Sequence, residues 1–152
     1  MSYNRSVRKL AIAAVCLFAA CAHAVPQTRY RNLELRLVSE AGGQAFPFWM
    51  EPGTIALDPE IQFSGKDFAL IAPAHGGDDL KTPSLNLNFT PEAKARFTEF
   101  TTRRTGRRLA IVIDGRVVTA PKILHPITTG LFEITGSSDA DVQEMYRRIA
   151  GS

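Results

Sequence analysis

The sequence predicts an α+β domain in which helices pack on one face of a mixed or antiparallel sheet. Three kinds of pattern support this class. Apolar and polar residues alternate in residues 30–39 and 84–89, which is typical of half-buried strands. Residues 109–113 form a continuous apolar run, which indicates a strand buried on both faces or nearly so. Two further segments, 90–104 and 137–149, have the apolar spacing of amphipathic helices.

The first half of the chain is richer in strand patterns than in helix patterns. Residues 30–39 predict a strand whose buried face carries Leu33, Leu35 and Leu37. Residues 41–52 contain glycines and prolines among aromatic residues, so we expect an irregular loop there. A weak strand follows over residues 54–57.

The next segment permits more than one secondary structure. Residues 67–72 fit either a strand or a short helix, and Pro73 is expected to end it. Residues 75–79 predict a surface turn. Residues 84–89 then predict a strand with an inward face of Leu85, Leu87 and Phe89.

The first predicted helix has local signals at both ends. Thr90 can cap free N–H groups, Pro91 fits the first helical position, and Glu92 meets the positive end of the helix dipole. Gly106 supplies a left-handed conformation after the last turn. The apolar face consists of Ala93, Phe97 and Phe100.

The helix leads into residues 109–113, which we predict to be a central strand. Phe97 and Phe100 should pack onto this strand. Asp114-Gly115 then favours a tight type I′ turn into a second strand that contains Val117 and Val118.

The chain ends with a strand and a helix. Residues 131–134 predict the strand. Ser137 or Ser138 can cap the helix, and its inward face consists of Val142, Met145 and Ile149.

The charge of the chain is concentrated at its start. The formal net charge is +3, and Arg5, Arg8 and Lys9 supply it, because every acidic residue lies beyond residue 24. The part after residue 24 therefore has as many acidic as basic residues. A sequence-independent nucleic-acid binder needs an excess of positive charge, so we expect no nucleic-acid partner.

The N-terminal segment predicts an export signal. A basic stretch precedes the apolar run of residues 10–20, which is too short to cross a bilayer. Small residues at Ala22 and Ala24 predict cleavage before Val25. We thus expect a signal peptide over residues 1–24 and a single domain over residues 25–152; a buried N-terminal helix is the alternative.

The cysteines leave a second processing route open. Cys16 and Cys21 both lie in the predicted signal, so the exported domain has no disulfide and depends on a hydrophobic core. Phe18-Ala19-Ala20-Cys21 resembles a lipobox, in which Cys21 would be lipidated and anchor the domain to a membrane. No stretch after residue 24 reaches the length of a transmembrane segment.

Few residues point to catalysis. His75, Asp78 and Asp79 could be metal ligands, but they lack a further His or Cys at ligand spacing, so a solvated turn is the simpler interpretation. His125 lies in a predicted loop without a recognisable nucleophile motif near it. We therefore predict no catalytic, cofactor-binding or metal-binding residues.

Two surface features are candidate binding sites. Arg103, Arg104, Arg107 and Arg108 could grip an acidic partner, but they also suit a helix C-terminus and the exposed side of a strand. The aromatic loop could be an exposed contact site or could cover one end of the core; it contains Phe46, Phe48, Trp49 and Met50.

A longer pattern covers the segment from Asn88 to Gly136. Without gaps from Phe97 onward, it comprises Phe97, Thr101, Gly106, Leu109-Ala110-Ile111-Val112-Ile113-Asp114-Gly115, Val117, Ala120-Pro121, Ile127, Gly130 and Ile134-Thr135-Gly136. It resembles the head subdomain of the first periplasmic domain of SecD, the translocon accessory protein that also occurs fused as SecDF. Residues 37–73 are more loosely similar to the upstream part of that subdomain.

The resemblance implies a free-standing periplasmic module with the SecD head fold. In that family the module is thought to meet polypeptide that emerges from the translocation channel. We therefore expect a non-enzymatic domain that binds polypeptide or an envelope protein, with no cofactor. A small periplasmic hydrolase or metal-dependent enzyme, and an outer-membrane lipoprotein with a structural role, are the alternatives.

Two departures from the family limit what the resemblance implies. The aromatic residue that usually follows Ile134-Thr135-Gly136 is replaced by a Ser-Ser-Asp sequence. The membrane helices that carry the residues proposed to move protons have no counterpart in the sequence. Proton-driven pulling is therefore not implied for this chain.

Overall fold

The computed structural model describes residues 30–77 and 81–151. The predicted signal, with Ala22, Ala24 and the alternative lipidation at Cys21, lies outside these residues, and so do Asp78 and Asp79. The described elements are β1 (Leu33–Leu37), β2 (Gln44–Pro47), β3 (Thr54–Leu57), β4 (Phe63–Ser64), β5 (Phe68–Gly76), β6 (Thr82–Phe89), α1 (Pro91–Arg103), β7 (Leu109–Ile113), β8 (Arg116–Thr119), β9 (Leu131–Thr135) and α2 (Asp139–Ala150).

The strands form three sheets, and the predicted α+β class is confirmed. The largest sheet has the order β4-β1-β7-β8, a second has the order β5-β6-β9, and β2 pairs with β3. All pairings between these strands are antiparallel. Strand β7 is interior in its sheet, as its continuous apolar sequence predicts.

Strand β7 is buried on both faces because it separates two cores. Leu109, Ile111 and Ile113 belong to the main core. Ala110 and Val112 point the other way, into a smaller core that the β2–β3 hairpin covers. One strand therefore has a different hydrophobic neighbourhood on each side, which explains why its sequence does not alternate.

Both helices contribute to the main core. The ring centroid of Phe97 lies 5.2 Å from that of Phe63, 4.5 Å from that of Phe89 and 6.0 Å from that of Phe132. Phe97 shares this core with the residues of β7, but its aromatic neighbours lie on β4, β6 and β9, so α1 packs across two sheets. In α2 the predicted inward residues are buried: Val142, Met145 and Ile149.

The predicted turn and helix starts are also confirmed. The Thr90 hydroxyl oxygen accepts a hydrogen bond from Ala93 N at 3.2 Å, and Ser138 Oγ accepts one from Asp141 N at 3.2 Å. Between β7 and β8, Asp114 and Gly115 have φ angles of 49° and 74°. Positive values at both positions are those of a type I′ turn.

Two predictions about loops were wrong. Residues 41–52 are not wholly irregular, because β2 pairs with β3 through them. Pro73 does not end the segment before it: β5 continues to Gly76, so His75 and Gly76 are strand residues rather than part of a turn. Strand β5 lies at a sheet edge, where a proline removes no ladder hydrogen bond. The 67–72 ambiguity resolves into a 3-10 turn over Gly65–Asp67 followed by this strand.

Candidate functional site

An apolar cleft of about 660 Å³ lies between the four-stranded sheet and strand β9. Its walls come from β1, α1, β7, β9 and residues 120–130, the connection that follows β8. The apolar residues that line it include Leu35, Phe97, Leu109, Ile111, Ile123 and Ile134. All six are buried, so their positions are fixed by the packing of the main core.

Residues 120–130 form the mouth of the cleft, and hydrogen bonds hold the middle of this segment at two points. At the first, Ile123 O accepts a hydrogen bond from Gly106 N and Ile123 N donates one to Arg107 O, both at 2.8 Å. At the second, Thr101 Oγ1 accepts from Ile127 N and Thr98 Oγ1 donates to Ile127 O, both at 3.0 Å. The connection has no regular structure of its own, yet its backbone is fixed to the end of α1.

The side chains between these two points are open to solvent. Leu124 is 65% exposed at the mouth of the cleft, and Leu131, at the start of β9, is 44% exposed. Lys122, His125 and Glu133 are the charged or titratable residues of the lining. Within the described part of the chain, His125 forms no hydrogen bond or ion pair. The lining of the cleft is thus mainly apolar.

The residues considered for metal binding do not form a centre. His75 Nε2 lies 3.0 Å from Asp139 Oδ1 in an exposed pair. Asp78 and Asp79, the other two residues of that hypothesis, are outside the described residues. Across residues 30–77 and 81–151 no group of three or more His, Cys, Asp and Glu side chains could hold a metal ion. The metal-dependent alternative thus gains no support.

Three of the four clustered arginines have intramolecular side-chain contacts. Arg103 pairs with Glu99 one turn earlier in α1. Arg107 Nε lies 3.1 Å from Glu40 Oε1, and Arg108 Nε donates to Ala120 O at 2.9 Å. These contacts agree with the simpler interpretation of a solvated, structural cluster.

The aromatic loop covers the smaller core, as one of its two interpretations predicted. Phe46 is buried in that core. Trp49 Nε1 donates to Asp141 Oδ1 at 2.8 Å, and the Arg148 guanidinium lies 5.6 Å from the centre of the Trp49 ring. Met50 remains 66% exposed, so the tip of this loop is open to solvent.

Arg148 links this loop to α2 and to the turn after β7. It donates to Glu144 Oε1 and to Asp114 Oδ2, each at 2.7 Å. The hydrogen bond from Arg148, with the nearby positive charges, holds the pKa of Glu144 below its usual value. The same two carboxylates raise the pKa of Arg148. This cluster connects elements and does not border the cleft.

The cleft residues of the 120–130 connection were missed by sequence reasoning. Ile123 and Leu124 lie between Pro121 and Pro126, and Ile127 follows Pro126, without helical or strand spacing. An apolar, proline-bounded segment with no periodicity is the signal that was available. It predicts a loop that packs on a core, although it does not say where.

Neither described helix could cross a membrane, because neither combines the necessary length with the necessary apolar character.

The chain matches the family model described as SecDF, P1 head subdomain, over residues 36–146. It is 42% identical over 67 residues to the protein translocase subunit SecD of Acidaminococcus fermentans, which covers 44% of this chain and 16% of that protein. It is 47% identical over 64 residues to the protein translocase subunit SecDF of Thermus thermophilus, covering 42% of this chain and 9% of that protein. The chain therefore spans less than a fifth of these relatives.

Solved structures show the same fold. One, described as "Structure and function of a membrane component SecDF that enhances protein export", matches with a TM-score of 0.63 and 28% identity and covers 81% of this chain and 64% of that one. A second, SecDF in a super-membrane-facing form, matches with a TM-score of 0.60 and 29% identity over 81% of this chain and 18% of that one. The family match and these structures agree with the resemblance in the sequence, and the chain belongs to the SecDF P1 head subdomain family.

Proposed function

We propose that this domain is a non-enzymatic binding module of protein export that takes up extended, apolar segments of unfolded polypeptide in the cleft. The observation that carries the proposal is the cleft itself, an open apolar cavity that borders the main core. Its volume of about 660 Å³ lies in the range of 300–1,000 Å³ that is typical of binding pockets. The relatives are translocase subunits, which supports polypeptide as the ligand rather than a small molecule.

The chemistry of the cleft supports binding without catalysis. The lining offers apolar surface from several elements, and burying such surface is favourable for almost any hydrophobic segment. Its polar groups do not form a hydrogen-bonded pair of nucleophile and base, so their contacts give no support for covalent catalysis. A site of this kind accepts many sequences, as a protein that meets varied exported chains needs to do.

The proposed location is the periplasm, after removal of residues 1–24. The apolar run and the small residues at Ala22 and Ala24 support this route. The intact mass of the exported protein distinguishes the outcomes. A chain that begins at Val25 supports a free domain, and a chain that begins at an acylated Cys21 shows a lipid-anchored one.

Binding at the cleft can be tested with one exposed residue and a matched control. Leu124→Arg places a charge at the mouth of the cleft, and because Leu124 is 65% exposed the fold should tolerate it. We expect the affinity for a fluorescently labelled unfolded polypeptide, measured by anisotropy, to fall by about tenfold or more. Met50→Arg changes a residue that is 66% exposed and outside the cleft, and it should bind like the parent.

Two results contradict the proposal. One is an unchanged affinity for Leu124→Arg, which would separate binding from the cleft. The other is an equal loss of affinity for both variants, which would show that an added charge weakens binding whether or not it lies at the cleft.

A further inference from the structure

Strand β9 is an edge strand with backbone groups that have no partner. It pairs with β6 on one side only. Gly130 O accepts from Phe89 N, and Gly136 N donates to Pro83 O, so the even-numbered residues direct their backbone groups toward β6. Because these groups alternate along an antiparallel strand, the odd-numbered residues of β9 direct theirs away from the sheet.

Of the three outward positions, one is satisfied by its own loop. Thr129 Oγ1 donates to Leu131 O at 3.0 Å and accepts from Leu131 N at 3.4 Å. The N–H and C=O groups of Glu133 and Thr135 have no hydrogen-bond partner among the described residues. They leave two donors and two acceptors in a row at the edge.

In the two larger sheets, the other three edge strands are protected in ways that β9 is not. Strand β4 is only two residues long. Strand β5 contains Pro73 and has an irregular register between Phe68 and Leu70, and the register of β8 against β7 is irregular at Ile111. Short length, proline and irregular register are devices that prevent pairing at an edge. Strand β9 has an unbroken register and no proline, so it is the edge best able to accept another strand.

The free edge of β9 borders the cleft. The lining includes Phe132 and Ile134, whose side chains share one face of β9, and also Glu133 and Thr135, whose side chains share the other. Because the backbone groups of Glu133 and Thr135 point outward from the free edge, a cavity that reaches these two residues as well as Phe132 and Ile134 runs along that edge. The unpaired backbone groups and the apolar lining are therefore parts of one surface.

We propose that the polypeptide in the cleft binds as an additional antiparallel strand on β9, with a basic residue opposite Glu133 and apolar residues on either side of it. The proposal rests on the proposed function and specifies how the same cleft recognises its ligand. Main-chain hydrogen bonds to Glu133 and Thr135 give affinity that does not depend on sequence. The flanking apolar side chains point, like Phe132 and Ile134, toward the buried residues of the cleft.

Charge complementarity identifies the central residue of the segment. Glu133 is exposed and has no ion-pair partner among the described residues, and its carboxylate lies over Gly76 of β5, from which it must turn to face an added strand. Opposite charges on directly facing strand residues stabilise pairing, and like charges oppose it. Two copies of β9 paired about Glu133 would bring two carboxylates together. An apolar–basic–apolar segment fits the edge better than a second copy of the chain does.

The test uses a short synthetic peptide that alternates leucine and threonine around one central lysine. In the proposed pairing the lysine N–H faces β9, and the N–H groups of the two neighbouring leucines face away. N-methylation of the lysine should weaken binding to the wild-type protein at least about fivefold, because it removes one main-chain hydrogen bond. N-methylation of one neighbouring leucine is the matched control and should leave the affinity unchanged.

A charge reversal provides an independent check on the register. Replacing the peptide's lysine with glutamate should weaken binding about two- to fivefold. With Glu133→Lys the preference should invert, so that the glutamate peptide binds more tightly. In hydrogen exchange, the amides of Glu133 and Thr135 should become protected when the lysine peptide binds.

The outcomes separate this inference from the function on which it rests. If both N-methylated peptides bind equally, and Leu124→Arg still abolishes binding, the strand pairing is wrong and the cleft remains the binding site. If no peptide binds at all, both proposals are overturned. If dimers form through β9 instead, sedimentation of the protein alone shows it, and the polypeptide strand is again ruled out.

Discussion

At the scale of single residues, Phe97 is the centre of an aromatic cluster that joins the two larger sheets. It is 1% exposed and contacts rings from β4, β6 and β9. The Phe63–Phe97 pair is edge-on at 83°, a preferred geometry for aromatic rings. Because Phe97 also borders the cleft, the same side chain supports the fold and limits the depth of the site.

Truncation of Phe97 should therefore be severe. We expect Phe97→Ala to lower the free energy of unfolding by about 3–5 kcal/mol, through lost apolar contact and the cavity left behind. Arg103→Ala removes only an exposed pair with Glu99 and should cost about 0.5 kcal/mol or less. Urea denaturation of both variants checks this. A Phe97→Ala protein as stable as the parent would show that α1 is not docked as described.

At the scale of elements, one buried hydroxyl of α1 is among the groups that hold the cleft mouth in place. Thr101 is fully buried, and its Oγ1 accepts from Ile127 N while it donates to Thr98 O. Thr102, the next residue, is exposed and bonds only to Thr98 O within its own helix. The Thr101 hydroxyl therefore connects α1 to residues 120–130, whereas the Thr102 hydroxyl does not.

This pair gives a matched comparison. Thr101→Val keeps the shape of the side chain but leaves the Ile127 N–H without its partner, at a cost of about 1–3 kcal/mol. We also expect faster hydrogen exchange at Ile127, because its N–H loses the acceptor that protects it. Thr102→Val should change neither quantity appreciably. Equal exchange rates at Ile127 in the two variants would contradict the role given to Thr101.

The elements differ in how far local sequence predicts them. Strands β1, β6 and β7 and both helices follow from periodicity and capping residues, because burial of one face leaves a regular pattern. Strand β2 and the second half of β5 could not be predicted in this way. Their glycine and proline residues indicate loops, and the strand pairing found there depends on the tertiary structure. The cleft combines Leu35, Phe97 and Ile134, which are distant in the chain, so no local pattern could indicate it.

At the scale of the whole molecule, a surface network connects parts that share no sheet. Arg148 of α2 contacts Trp49 of the aromatic loop and Asp114 of the turn after β7. Glu144 holds the same arginine from one turn earlier in the helix. Loss of the Glu144 charge should therefore affect how α2 is held against the rest of the domain.

The lowered pKa of Glu144 sets the direction of its pH effect. Its folded pKa is below the usual 4.5, so its contribution to stability is complete above pH 4.5 and is lost as pH falls through the folded value. The stability difference between the parent and Glu144→Gln should thus be larger at about pH 7 than at about pH 3. Urea midpoints at the two pH values measure it.

The control is Glu51→Gln, which removes an exposed carboxylate for which the described structure shows no ion pair. The difference in the free energy of unfolding between the parent and Glu51→Gln should be the same at both pH values. A Glu144→Gln difference that grows on acidification would reverse the assigned sign.

The pairing of β1 with β7 also has a kinetic consequence. Leu37 lies opposite Leu109, so about 70 residues must be enclosed before the central ladder of the largest sheet can form. Folds dominated by such distant pairings cross their barrier slowly. If the chain emerges N-terminus first, β1 stays unpaired with β7 until most of the domain has emerged. For that interval the protein is itself an unfolded polypeptide with exposed leucines, chemically of the same kind as the ligand proposed for its cleft.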